Sequence, residues 1–293
     1  MKVSEINMVS PRDTQECLQL LNDNIDSDVR FLAGGTDAVV RMKDNMWRPK
    51  LWINLKDVEE LRYIEEKDDY IHIGPMTTYT DMVNSPLIQE KAPVLAQTSK
   101  EVGAIQLQNM GTIGGNIGTA SPAGDTIPTL FILDAHIQLT SVKGSRLVSV
   151  EEYFIGPGRT VKEDDEIITE IIVNKQKENE IAIFEKLGPR KAQSISIVNC
   201  AVLLEMGEGN KECLGGRVAF GSVGPTIIRA KKCEQMLKMG PLDEHKIEDV
   251  ADAAWKEVMP ISDVRASAKY RRKMASSLLK RGLLRLMEGW DAR

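Results

Sequence analysis

Histidine is scarce in this chain, three in 293 residues; there are only four cysteines, and aromatic residues make up 5%. Each shortage removes a class of chemistry. His72, His136 and His245 are scattered and no HExxH occurs, which argues against a histidine-rich metal site. His72 alternates with Ile71 and Ile73, as on the exposed face of a strand. Cys17, Cys200, Cys213 and Cys233 form no CxxC pair and match neither zinc nor iron–sulfur spacing, so they read as reduced packing thiols. No GxxxxGK[ST] is present, which disfavours a P-loop ATPase, and Ser121 in "ASPAG" lacks the GxSxG elbow of a nucleophile. Positive charge is not in excess: 38 Lys+Arg against 43 Asp+Glu leaves a net −5, unlike a general nucleic-acid binder. No apolar run approaches the roughly 18 residues a bilayer span needs. The N-terminus also lacks the apolar core of a signal peptide, so a cytoplasmic protein is expected.

What remains is an ordinary globular composition, 42% hydrophobic and 28% charged. Strand patterns occur at 50–55 and 70–78, joined by the charged connection "EELRYIEEKDD". Residues 77–102 read as helix, broken by Pro86 and Pro93. "DTIPTLFILDA" reads as a helix with Asp125 or Thr126 near its N-cap, and 136–150 as a hairpin turning at Lys143 and Gly144. A strand ending at Val173 and another starting near Ile181 flank a charged segment, which places a boundary between units 1–175 and 176–293. Strands follow at 194–206, 216–224 and 225–230, with "GEGNKE" (207–212) as a hairpin turn. Helical patterns over 231–239, 244–258 and 262–288 close the chain, giving an α+β class. Arg265 to Arg285 holds eight Lys/Arg, but Met274, Leu278, Leu279, Leu283 and Leu286 recur at helical spacing, predicting a buried stripe with solvated basic flanks.

Two glycine-rich stretches stand out. "RFLAGGTDAVVRMK" (30–43) runs a short strand into a Gly34–Gly35 turn, and "GTIGGNIGT" (111–119) lies within eighteen residues that hold no lysine, arginine or histidine. Each alone is compatible with a structural turn. Together they suit a nest in which backbone N–H groups, with Thr36, Thr112 and Thr119, hold a diphosphate without a cationic side chain. Asp37 and Asp125 would be repelled by phosphate and suit sugar hydroxyls or helix caps.

These stretches resemble the two FAD-binding segments of the flavoprotein subunit, or flavin domain, of the molybdenum hydroxylases, a family that includes xanthine dehydrogenase and aerobic carbon monoxide dehydrogenase. The resemblance continues in order through "YFIGPGRT" (153–160), "DDEIITEIIV" (164–173), "KLGPRKAQSIS" (186–196), "VAFGSVGPTIIRA" (218–230) and "RASAKYRRKM" (265–274). It implies a vanillyl-alcohol-oxidase (PCMH)-type FAD-binding domain of two lobes and a smaller C-terminal α+β domain. By position, Leu32, Ala33, Gly34, Gly35, Thr36, Asp37 and Ala38 would form the first FAD loop. Gly111, Thr112, Ile113, Gly114, Gly115 and Asn116 would form the second, with Thr119 and Asp125 adding hydrogen bonds. Val102, Ile168 and Lys186 match further flavin contacts, and a cation at Lys186 would favour the anionic reduced flavin.

The resemblance further implies noncovalent FAD that takes electrons from [2Fe–2S] clusters on a small partner subunit, fed by a molybdopterin-binding large subunit. A dimer of such heterotrimers is the implied assembly. The chain itself carries no molybdopterin or iron–sulfur motif. NAD⁺ is the simplest acceptor, approaching beside Arg190 and Lys191, and a xanthine- or purine-type dehydrogenase is favoured over a carbon monoxide dehydrogenase. A free-standing FAD oxidoreductase and a non-catalytic scaffold are the rival readings.

Overall fold

In the computed structural model, residues 6–207, 212–238 and 240–291 are described. The first lobe is a parallel three-stranded sheet in which β1 (Met8–Val9) leads to α1 (Thr14–Asp23), β2 (Val29–Leu32), α2 (Ala38–Lys43) and β3 (Leu51–Asn54). β3 lies between its neighbours, and its first three residues, Leu51, Trp52 and Ile53, are all buried, as a strand covered on both faces requires.

The second lobe carries a five-stranded sheet of order β4-β5-β10-β6-β7. Its strands are β4 (Ile64–Lys67), β5 (Tyr70–Ile73), β6 (His136–Ser141), β7 (Gly144–Ser149) and β10 (Ile167–Asn174). Between β5 and β6 run α3 (Tyr79–Asn84), α4 (Pro86–Lys91), α5 (Pro93–Glu101), α6 (Ile105–Gln108), α7 (Ile113–Thr119) and α8 (Thr126–Ile132). Pro86 and Pro93 each open a helix at N1, where a missing N–H is harmless, so the breaks fall where expected. After β7 come the short α9 (Val150–Tyr153) and the ribbon β8 (Phe154–Gly156) and β9 (Arg159–Thr160).

The C-terminal unit is an antiparallel sheet of β11 (Glu180–Leu187), β12 (Val198–Met206), β13 (Cys213–Gly221) and β14 (Ile228–Arg229), covered by α10 (Lys231–Leu237), α11 (Glu244–Glu257) and α12 (Ala268–Asp291). Its core gathers Val202, Leu204, Val218, Phe220, Leu278, Leu279 and Leu283. The α+β class and the two-lobed domain with a smaller C-terminal unit are therefore present.

Several local expectations are corrected. The charged connection contains the edge strand β4, whose Glu65, Glu66 and Lys67 are exposed and leave no apolar alternation to read. The β6–β7 turn is Val142–Lys143, because Ser141 pairs with Gly144. His72 is half-buried, its Nδ1 3.0 Å from the Glu170 carboxylate. α12 starts at Ala268, and its basic residues are not all solvated. Arg271 is 2% exposed and donates to the carbonyls of Ile197 (2.8 Å) and Ser222 (2.9 Å) and to Asp263. Arg281 and Arg285 bind the buried Glu185. The "GEGNKE" turn lies largely outside the described residues. All four thiols are buried and free; burial pushes Cys17 up to about 12 and moves the others upward.

Candidate cofactor site

The first glycine stretch leaves the C-terminal end of β2. Leu32 is the last residue to join the sheet, its carbonyl accepting from Leu55 N–H at 2.9 Å. Residues Ala33 to Asp37 are half-buried, yet none of their backbone N–H groups donates to a protein acceptor among the described residues. Five unmet N–H groups in succession on a half-buried glycine loop can act together as a nest for an anionic acceptor. Gly35 turns the chain at φ 74°. Gly34 is required by packing, because a Cβ there would overlap the carbonyl of Met110. That contact brings the two glycine stretches together.

The second stretch is not a turn. Residues 113–119 form the helix α7, capped by Thr112, whose hydroxyl accepts from Gly115 N–H at 3.0 Å. Its early N–H groups are committed to the protein: Ile113 to Thr77 O at 3.0 Å, Gly114 to Pro75 O at 2.9 Å, Asn116 to Thr112 O at 3.0 Å. Gly111 and Gly114 are small so that the chain can lie against Tyr79 and Pro75. Three glycines in seven residues disfavour a helix intrinsically, and these tertiary contacts override that cost. Gly115 and Gly118 leave bare backbone facing outward, beside Ala33 and Ile168 respectively. Thr119 is half-buried at the end of this helix. Asn116 accepts from Thr126 Oγ1 at 2.6 Å. Tyr79 is buried behind Gly111, and burial, then the Asp125 charge, pushes its phenol upward.

Asp37 precedes α2 without a cap bond and lies 3.4 Å from Arg41 Nε, while Ala38 is buried beneath it. Asp125 likewise makes no cap bond. Its carboxylate accepts from Lys186 (2.6 Å), Ser196 (2.5 Å) and Asn199 (2.9 Å), and Lys186 also donates to Glu101 O at 2.7 Å, next to Val102. Lys186 is thus a paired buried cation, not a strand-end lysine in solvent. Ser196 and Asn199 carried no sequence signal that singled them out as site residues, whereas the Ala33–Asp37 row lies in the first glycine stretch, where a nest of backbone N–H groups was expected. Arg190 turns back onto its own loop, donating to the carbonyls of Ala192 and Gln193, and so reaches outward less than expected.

The loop of unmet N–H groups, the glycine-faced helix and the pair of buried charges at the edge of the C-terminal sheet fit a large, diphosphate-bearing cofactor. Residues 4–175 match the FAD binding domain in molybdopterin dehydrogenase, and residues 184–286 match the CO dehydrogenase flavoprotein C-terminal domain. The chain belongs to the FAD-binding (medium) subunits of the molybdenum hydroxylase family. It is 30% identical to the nicotinate dehydrogenase FAD-subunit of Eubacterium barkeri, over 95% of each chain. It is also 30% identical to the putative xanthine dehydrogenase FAD-binding subunit of Escherichia coli, over 91% of this chain and 90% of that one. A solved structure of carbon monoxide dehydrogenase from Hydrogenophaga pseudoflava, lacking the Mo-pyranopterin moiety of its cofactor, superposes with a TM-score of 0.91 at 30% identity, over 96% of both chains.

Proposed function

We propose that this chain binds FAD noncovalently as the electron-transfer subunit of a molybdenum-dependent dehydrogenase, cytoplasmic, and assembled with a molybdopterin-binding large subunit and a [2Fe–2S] small subunit as a dimer of heterotrimers. The observation that carries the reading is the half-buried row of unmet N–H groups from Ala33 to Asp37. In this reading the row holds the diphosphate, with Leu32 and Ala38 anchoring the loop at its two ends. The outward faces of Gly115 and Gly118, with Thr119, Val102 and Ile168, border the rest of the cofactor, and Lys186 offers a donor at its edge. Gly111, Thr112, Ile113, Gly114 and Asn116 hold that helix in place. Asp37 remains available to sugar hydroxyls. FAD, when bound, supplies a carrier able to take electrons singly and pass them on in pairs. The chain's own task is to bind it, orient it and shield it.

The substrate is set on the partner. Relatives named for nicotinate, xanthine and carbon monoxide match this chain about equally, at 30 to 31% identity. The segment "KLGPRKAQSIS" supports a xanthine- or purine-type enzyme as the first candidate. NAD⁺ is the proposed acceptor, and Lys191 takes over the phosphate contact first expected of Arg190 and Lys191 together. The division of the chain near residue 175 is retained as the boundary between cofactor-binding and C-terminal units.

The decisive test is the purified chain itself. Flavin absorption with acid-released FAD is expected, and NADH is expected to bleach it without oxygen. A folded protein that stays colourless after incubation with FAD overturns the reading and favours a scaffold. Bleaching by reduced ferredoxin but not NADH would change the acceptor alone.

A further inference from the structure

The Asp125 carboxylate is 8% exposed and receives its three donors, Lys186, Ser196 and Asn199, entirely from β11, β12 and the loop between them. Asp134, also in the cofactor-binding half, takes two side-chain donors from the C-terminal sheet, Arg217 and Arg229, whereas Asp125 takes three. Backbone contacts flank it on both sides: Gln193 N–H to Gly103 O at 2.9 Å and Ser222 N–H to Pro122 O at 2.8 Å. Ser222 in turn donates its hydroxyl to Ser196 O at 3.1 Å, and the buried Arg271 holds Ser222 and Ile197 through their carbonyls. With three donors in place, little acceptor capacity remains for a ligand hydroxyl. Lys186, 7% exposed at its side chain, gives two of its three N–H bonds to Asp125 and Glu101 O. The third meets no acceptor among the described residues.

We infer that Asp125 is a positioning residue: it fastens the C-terminal unit to the cofactor-binding half and compensates the charge of Lys186, so that Lys186 presents one N–H and little net charge to the cofactor. This rests on the FAD reading above. Removing one member of a buried pair leaves the other uncompensated, and the sign of the residual charge depends on which member is removed. Asp125→Asn leaves a bare cation, which favours electron-rich, reduced flavin. Lys186→Met leaves a bare carboxylate, which disfavours it.

The test is an anaerobic redox titration of bound flavin in wild type, Asp125→Asn, Lys186→Met and the double variant. The midpoint potential is expected to rise in the first variant, fall in the second and return toward wild type in the double. FAD is expected to bind Lys186→Met on the order of tenfold more weakly, for the loss of a charge-assisted hydrogen bond. A second readout needs no flavin: in Asp125→Asn apoprotein, hydrogen exchange should rise at 120–125 and 193–199. Should Asp125→Asn fail to fold, a fall in potential in Lys186→Met that Lys186→Arg reverses supports the inference. Potentials that stay fixed, or move the same way in both single variants, overturn it. A wild type that binds no FAD overturns the parent reading instead, and unchanged exchange in Asp125→Asn apoprotein then removes the fastening role too.

Discussion

From Ala33 to Asp37, successive backbone N–H groups stay without protein partners among the described residues, whereas those of Gly111, Ile113, Gly114, Gly115 and Asn116 are taken up by Leu107, Thr77, Pro75 and Thr112. Both segments are rich in glycine and threonine and free of histidine, and neither can be told from the other by composition. In the first, Gly35 turns the chain in the left-handed region and the peptide dipoles remain available. In the second, glycine removes side-chain bulk so that a short helix can lie against Pro75 and Tyr79. Glycine therefore serves conformation and exposure in one place and close packing in the other. This also accounts for the missing cation: a row of N–H dipoles can balance a diphosphate. Two positive charges beside this segment are otherwise engaged: Arg41 lies against Asp37, and Lys162, over the Phe31 ring, donates to the carbonyls of Glu163 and Glu166.

Three substitutions sharpen this contrast. Gly34→Ala should have the largest effect, because its methyl group overlaps the Met110 carbonyl. A loss of about 3 kcal/mol is expected together with loss of FAD binding, read by thermal unfolding and flavin content. An unaltered melting temperature would mean that the two stretches do not abut. Gly114→Ala should come next, at about 2 kcal/mol, since its Cβ would stand 2.7 Å from Pro75 O. Its defect should be in stability first, with FAD affinity recovering at low temperature. Gly118→Ala should be the mildest and the most informative. The nearest atom to a Cβ there is Ile168 Cδ1 at 3.9 Å, so helix propensity alone should stabilise the protein by about 0.5–1 kcal/mol. FAD affinity should nevertheless fall roughly tenfold, or about 1.4 kcal/mol, if the cofactor lies against this backbone. Higher stability with unchanged affinity would take the outward face of α7 out of the site.

The legible parts of the molecule were those whose signals are local. Proline at N1 announced α4 and α5, alternating apolar residues announced β5, an apolar run ending at Val173 announced β10, and the leucine spacing of α12 announced its buried stripe. The strand β4 was hidden because an edge strand with three charged residues in four has no buried face to pattern it. Helix α7 was hidden because its residues are poor helix formers, and what makes them helical is Pro75 and Thr77 from a distant turn. Asp125 looked like a helix cap because local sequence shows the helix that follows it. It does not show the three donors 61 to 74 residues away.

The sequence by itself determined the α+β class and the family, since ordered motifs span nearly the whole chain. Only the tertiary structure decided which glycine segment keeps its N–H groups free, and that Lys186 is paired across the two halves with Asp125. The physical reason is that propensity and periodicity act over a few residues, whereas the partner of a hydrogen bond or of a buried charge is set by whatever the fold brings within about 3 Å.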